Sequence, residues 1–557
     1  MKKLISFALA VIMIASLFTL CVLFAFAEGE YDAEVLNAEG TKIADLNLSE
    51  LTDFGAAGTK MAGWDGYTIK LLKDVTTANT VYLVGNITFD GNGHQITFTG
   101  NSGNKNVFSV ATDGSKVSEG AGPSEYKTVK IVNLKATTTG MILIPYFSNV
   151  EFGEGNDFTA PGAMFWGSRS NGGKLTFTGG KYTTSGNLAI FGLDGKSYEV
   201  DIRGGEFATS TAGAIVNQTI ESTVNISGGS FSSTNGFIIQ MNNAGTVNIS
   251  GGKFVLSGSN VIINMLTGAP GNLNVKPGNL NVNIYDGYFY STSFNRIAAV
   301  LAGTMNVYGG IFRNTNRGDG DLFTVRGAAK LNIYGGTIIN VAGKDPIQNV
   351  NDSLYYPAGA KLYPAMGAGA SVRLVEGSNG IRFASTFSIE LIKYVNEMKD
   401  DDTKLQYGTL ILPTDVLNTV NDKSAFNVNT LISSGLEEGT GYVNIIAKDG
   451  FSEDESGNVT IRAALVNLKE KNFDRALSAV SYIKYVKDGH DVYVFSNYSS
   501  DDNSRSMAYI AQAALNDLKD TSDSSYKYEV TVDGSVKFSC YSPAQRSILQ
   551  GYIPTAN

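Results

Sequence analysis

The sequence predicts a mainly β protein, a right-handed parallel β-helix with an N-terminal capping helix, followed by a smaller α+β C-terminal domain. Three observations predict it. A unit of the form apolar-x-apolar-x-Gly-Gly-x-aromatic recurs through the middle of the chain at a nearly constant spacing. Its apolar positions alternate, as inward and outward residues do along a strand. The period stops at a stretch from Asp345 to Gly369, and from Ser371 strand-like runs alternate with helical patterns.

The first glycine position of each unit falls at 179, 204, 228, 251, 286, 309 and 335, so the steps are 25, 24, 23, 35, 23 and 26, with Asp286 standing where glycine is expected. This period with strand alternation excludes helical-hairpin repeats, and it lacks the leucine-asparagine pattern of leucine-rich repeats. It fits one turn of a parallel β-helix. Val224 and Ile226 are expected inside, Asn225 and Ser227 outside. The glycine pair permits a sharp corner. Phe231, Phe254, Phe289 and Phe312 are expected to stack as an interior ladder. The step of 35 carries Thr267 to Gly278, a turn-rich stretch read as a loop extruded from one coil, a device that often marks a working face. Further coils are expected at 81–84, 87–96 and 129–131.

Upstream, Asn47 to Phe54 has the pattern of a short amphipathic helix that would cap the open end of the stack, where strand edges and core would otherwise be bare. Leu71 to Thr76 (LLKDVT) and Ile87 to Thr97 (ITFDGNGHQIT) resemble the entry to the pectin-lyase-like β-helix superfamily, and the resemblance covers residues 40 to 345. It implies a polysaccharide-facing scaffold. The organisation expected is a leader at 1–27, a capping segment at 28–70, the β-helix at 71–345, a proline-punctuated linker at 346–369 and the α+β domain at 370–557. In that last domain, strands are expected at 372–375, 407–412, 459–466 and 492–495, and helices at 388–398, 504–518 and 542–552. Gly380 to Ser385 (GIRFAS), Tyr407 to Pro413 (YGTLILP) and Asn472 to Tyr485 (NFDRALSAVSYIKY) make it similar to a C-terminal module of secreted proteins of Gram-positive bacteria, which implies location more than activity.

Lys2 and Lys3, an apolar run from Leu4 and the Ala25-Phe26-Ala27 site before Glu28 read as a cleaved secretory signal. An uncleaved anchor is the alternative. Cys21 invites lipoprotein processing, but Leu20 precedes it where a small residue is required. Its removal leaves Cys540 alone, so the core must supply the stability that disulfides give smaller exported domains. The expected location is extracellular or at the cell surface, with no membrane contact beyond the leader, as a monomer. Formal net charge is −9, more negative by two once Lys2 and Lys3 leave, without a basic cluster. Nucleic acid is therefore a poor partner. Glycine, at 63 of 557 residues, is enriched, and charged residues, at 17%, are depleted; that composition suits short strands and tight turns.

Enzymes of the superfamily named above carry aspartate clusters, or calcium-binding acids with a base, on one outward sheet. The chain has only His94 and His490, and no paired-aspartate series. His94 belongs to a turn, Asp90-Gly-Asn-Gly-His94. The densest outward charge is Arg313, Arg317, Asp319, Asp321 and Arg326, which reads first as a solvated loop and second as a fallback lyase site needing Ca²⁺. Arginine rarely titrates, so it is a poor base. Asp449 to Asn458 lacks the alternation of a calcium loop. No cofactor or metal is expected.

The most informative constellation is a strip. The outward residue before the glycine pair becomes Tyr285, Tyr308 and Tyr334 on three successive coils, with Asn283, Asn306 and Asn332 beside them, continuing Asn225 and Asn248. Rings about 4.8 Å apart with amides alongside suit a sugar chain running along the axis. Two plainer readings stand beside it: stacked identical side chains stabilise a β-helix by themselves, and the C-terminal domain could pack on this face. The function expected is a non-catalytic, secreted or cell-surface protein that binds polysaccharide or another cell-surface polymer. The alternatives are a polysaccharide lyase or glycoside hydrolase, and an adhesin or spacer that binds through its C-terminal domain.

Overall fold

The computed structural model describes residues 31–100, 106–113, 125–166, 173–185, 190–193, 199–210, 214–218, 222–242, 244–266, 280–315, 322–326, 328–340, 347–349, 354–355, 364–367, 369–420, 426, 431, 434–448, 451–496, 498 and 503–554. The leader expected at 1–27 and the loop expected at 267–278 lie outside these residues; the strands on either side of the loop are Ile263–Leu266 and Leu280–Ser291.

The chain is mainly β, and its first two thirds are built on three parallel strand ladders. Each repeat contributes one strand to each ladder. Lys174–Phe177, Lys181–Thr184 and Phe191–Leu193 make one such set, and Glu199–Ile202, Glu206–Thr209 and Ala214–Gln218 make the next. Pairing is in register from set to set: Leu175 meets Val200, which meets Val224, which meets Val247. The third ladder alone runs through eleven strands, from Val81–Val84 to Ile347–Asn349.

The repeat motif explains this register. Val224, Ile226 and Phe231 are buried, and Asn225 and Ser227 are not. At the corner, Gly229 has φ +93°, in the left-handed region that favours glycine. A β-carbon on Gly228 would lie 2.3 Å from the Arg203 carbonyl oxygen of the preceding repeat. The two glycines therefore answer different demands: one is conformational, the other is room for the neighbouring repeat. Asp286, which replaces the first glycine, sits where the ladder between 245–256 and 280–291 loses its regular register.

Inside, the phenylalanines stack as expected. Phe207, Phe231, Phe254, Phe289 and Phe312 have successive ring centroids 5.0, 4.8, 4.7 and 4.8 Å apart, tilted by no more than 9°. Tyr182 extends the stack below Phe207 at 4.9 Å, and its buried hydroxyl donates to the Gly179 carbonyl.

The N-terminal end differs from expectation in detail. The helix falls at Phe54–Lys60, later than Asn47 to Phe54, because Asp53 accepts from the Ala56 amide and so starts the helix there. Only a 3-10 turn, Leu48–Glu50, occupies the expected span. The cap also holds an antiparallel hairpin, Ala33–Leu36 with Lys42–Leu46, whose first strand covers the edge of Tyr67–Leu71. The Leu51 carbonyl accepts from Tyr82, and Phe54 packs edge-on against Tyr82 at 4.8 Å, so apolar core and strand edge are sealed together.

At the other end, the linker expected at 346–369 is shorter. Ile347–Asn349 pairs with Phe323–Val325 and Leu354–Tyr355 with Lys330–Ile333, which extends the ladders to Tyr355. Ala365–Met366 already pairs with the C-terminal unit. Pro346 and Pro357 lie outside the described residues, and Pro364 directly precedes Ala365–Met366.

The C-terminal unit combines antiparallel sheets with helices. Gly380–Phe387 pairs along its whole length with Val459–Val466, and Gln406–Pro413 with Leu477–Lys487. Helices occur at Ile389–Met398, Met507–Asn516 and Pro543–Gln550, each started by a serine, Ser388, Ser506 or Ser542, whose hydroxyl accepts a backbone amide. Two hairpins turn on Asp-Gly, with Asp488 at φ +53° and Gly489 at +77°, and Asp533 at +48° and Gly534 at +77°.

Candidate polymer-binding surface

The three tyrosines stand where the repeat places them. Tyr285, Tyr308 and Tyr334 have nearly parallel rings with centroids 5.0 Å apart at both steps. They are not an open platform. Tyr308 is 5% exposed and belongs to the same apolar cluster as Phe387, Tyr394, Tyr485, Val492 and Val494 of the C-terminal unit. The reading of the strip as a sugar platform is corrected on this point. Parallel aromatic faces on a rigid scaffold are apolar area, and here the protein's own second unit removes that area from water.

The cover is specific. It is the hairpin of Leu477–Lys487 and His490–Phe495, joined by the Asp488-Gly489 turn, together with Ile389–Met398. The Tyr308 hydroxyl donates to Asp488 Oδ2 at 2.6 Å, and the His490 ring lies 4.0 Å from that of Tyr285. Two hydroxyls cross in the other direction: Tyr485 donates to the Tyr334 carbonyl at 2.8 Å and Tyr394 to the Ile333 carbonyl at 2.7 Å. The Lys487 ammonium stands 5.8 Å over the Tyr334 ring. Asp400 holds the turn itself, accepting from the amides of Asp488 and Gly489 at 2.9 Å each, and these two bonds hold its carboxyl below the usual range. Burial, then the Asp488 carboxylate, push the Tyr308 phenol up.

The asparagine row is continuous. Asn248 donates to Asn225, Asn283 to Asn248, Asn306 to Asn283 and Asn332 to Asn306, all at 2.8–2.9 Å. Asn248, Asn283 and Asn306 each use one donor and one acceptor in the ladder, while Asn225 at its start accepts from Asn248 and donates to Glu199 at 3.5 Å, and Asn332 at its end only donates. The row is thus a structural ladder that also fixes the direction of every amide.

Below the covered tyrosines the same corner is open. Ser227 and Ser250 occupy the tyrosine position on the two preceding coils, and both are exposed. Thr223 and Thr246 flank the asparagines on the other side, in direct register with one another. Thr-x-Asn-x-Ser therefore repeats unchanged on adjacent strands. Sequence reading placed Asn225, Asn248 and Ser227 outward but, attending to the aromatic residues, did not single out Thr223 and Thr246 or the set as a unit; the repeated spelling at 223–227 and 246–250 was the available signal. One coil lower, the face becomes charged and internally paired: Lys174 reaches Glu199 at 2.8 Å and Asp201 at 3.3 Å, and Arg203 meets Asp201 at 2.7 Å.

The fallback cluster does not assemble within the described residues. Arg313 lies on Ile311–Asn314 with its guanidinium 5.9 Å over the Tyr290 ring, and Arg326 is exposed just past Phe323–Val325. Arg317, Asp319 and Asp321 lie outside the described residues. His94 is 3.3 Å from Asp74, whose carboxylate also accepts from the Gln95 amide and is held below its usual range mainly by that bond, so the pair fastens a turn. Asp454 is lowered in the same way by Asn458, closing the loop between Ser452–Glu453 and Val459–Val466. Among the described residues, no group of three His, Cys, Asp or Glu side chains could hold a metal ion. Cys540 is half-buried, and burial pushes its thiol up. A small cleft of about 170 Å³ in the C-terminal unit lies between Ile411, Tyr442, Leu465 and Leu477, with Arg475 at its rim paired to Asp415. No helix among the described residues is long and apolar enough to cross a membrane.

In comparisons with protein-family models, curated proteins and solved structures, nothing matches this chain.

Proposed function

We propose that the three ladders form a right-handed parallel β-helix of the pectin-lyase-like kind, and that the protein is secreted or held at the cell surface, where it binds polysaccharide without cleaving it. Right-handedness follows from the strong preference of parallel strand connections for that hand. Export follows from the Lys2-Lys3, apolar and Ala-x-Ala order of the leader.

The observation that carries the binding reading is the hydrogen-bonded asparagine row, with amides fixed at one repeat through Asn225, Asn248, Asn283, Asn306 and Asn332. A polymer whose own units repeat can meet such a row at many points without ordering cost on the protein side. The buried Tyr308, with Tyr285 and Tyr334 packed on either side of it, supports a rigid placement of the second unit beside it. The C-terminal unit, similar in its motifs to a module of exported proteins, then serves as a side wall.

The test is a glycan-array and polysaccharide-pulldown screen of residues 28–557, run beside assays for unsaturated products and new reducing ends. Binding without products is the expected outcome. New reducing ends or unsaturated products would replace this reading with an enzymatic one.

A further inference from the structure

We propose that the open array of Thr223, Asn225, Ser227, Thr246, Asn248 and Ser250 is the binding site, and that its ligand is an extended, uncharged polysaccharide running along the stack with one sugar residue per coil. This rests on the polysaccharide reading above and adds the place, the direction and the charge of the ligand.

Three features of the array lead there. The first is rigidity: Asn248 donates to Asn225 at 2.9 Å and both strands lie in unbroken register from Thr223–Thr246 to Ile226–Ile249, so the polar groups keep fixed positions. The second is period. Neighbouring strands are about 4.8 Å apart, close to the length of one residue in an extended sugar chain, so a chain along the axis places one residue beside each Thr-Asn-Ser set, with hydroxyls on both edges of the chain available as successive residues turn over. Hydroxyls and amides each offer donor and acceptor, as sugar hydroxyls require.

The third is charge and boundary. The six side chains carry no charge. The coil beneath them is charged, but Lys174, Glu199, Asp201 and Arg203 neutralise one another in contact. Above them, Asn281 and Asn283 prolong the array by one coil, and Tyr285, partly exposed and backed by His490, ends it as an aromatic wall. An anionic chain finds no unpaired cation in the array itself, whereas a neutral chain loses nothing on leaving water for hydroxyl and amide partners.

The test compares full-length mature protein with the Thr223→Val/Thr246→Val variant, which leaves the asparagine ladder and the core untouched. The probes are hydroxyethylcellulose, mixed-linkage β-glucan, galactomannan and arabinoxylan as neutral chains, with polygalacturonate as the charged one, read by affinity electrophoresis and calorimetry. The expected result is binding to at least one neutral chain, weakened tenfold or more in the variant, with unchanged circular dichroism. Ser227→Ala/Ser250→Ala, at exposed positions, gives the same readout where the valine pair disturbs folding. Neutral binding that both variants retain in full overturns the site while the polysaccharide reading stands. Binding to polygalacturonate alone overturns the ligand's charge class. Absence of binding to every probe and to the glycan array overturns both readings.

Discussion

At the scale of single residues, the corner glycines carry the most specific demands. Gly229 needs a positive φ and Gly228 needs space against the Arg203 carbonyl, so the two positions should respond to alanine for different reasons. Gly229→Ala should cost about 1–3 kcal/mol, the usual price of a non-glycine residue held in a sparsely populated region. Gly228→Ala should cost more, since its 2.3 Å contact is with backbone that can yield only by parting two coils. Urea unfolding of the two variants checks both; equal, negligible effects would show that the coil spacing is softer than drawn here. Neither demand could be assigned to its own glycine from sequence, which showed the pair and the corner without saying which residue turned and which made room.

Two helix starts were legible at this scale too: Ser388 and Ser542 cap their helices, and a hydroxyl that can accept a free amide is a local property of the chain. The helix expected at 504–518 is shorter, Met507–Asn516 behind Ser506, because Ser504–Arg505 pairs as a strand with Leu477–Lys487 and Leu518–Lys519 pairs with Ser535–Ser539. The Asp-Gly pairs at 488–489 and 533–534 were equally local signals for hairpins, and sequence reading passed over both.

At the scale of elements, the phenylalanine stack and the hairpin tip behave differently. Phe254 touches a ring on each side, at 4.8 and 4.7 Å, and is fully buried. Phe254→Ala should destabilise the ladders by about 3–5 kcal/mol through transfer and cavity terms together, measured as a lowered denaturation midpoint. The tip of the 477–495 hairpin depends instead on one carboxylate. Asp400 has its folded value depressed by the amides of Gly489 and Asp488, so its contribution is complete above the ordinary carboxylate value of about 3.9 and is lost as pH falls through the lowered one. The protection factors of the Asp488 and Gly489 amides, each taken against the intrinsic exchange rate at the same pH, should therefore be high at neutral pH, fall only in acid below that ordinary value, and be low across the range in Asp400→Asn.

At the scale of the whole molecule, the question is what joins the two units. The hydroxyls of Tyr394 and Tyr485 donate to backbone carbonyls of the parallel ladders, at Ile333 and Tyr334, while their rings sit in the cluster shared by both units. Tyr394→Phe/Tyr485→Phe should weaken the union by about 1 kcal/mol for each bond lost. The denaturation midpoint would register it, and an unchanged midpoint would mean that apolar burial alone holds the units together.

What the sequence determined by itself was everything that repeats or is local: the ladder register, the inward phenylalanines, the spacing of the tyrosines and asparagines, and the serine-capped helices. Strand alternation and a fixed period translate directly into faces, so neighbours along a ladder follow from counting. What the tertiary structure alone decided was which outward face stays in water. Tyr285, Tyr308 and Tyr334 read the same from sequence whether they met a sugar or a protein, because an apolar ring gives no sign of what buries it. Their partners, Asp488, Tyr485 and Tyr394, lie 180, 151 and 61 residues away along the chain from the groups they bond, and no period connects them. Packing of the second unit closed the aromatic strip and left the Thr-Asn-Ser corner open, since burying rings gains far more from water's exclusion than burying hydroxyls that water already satisfies.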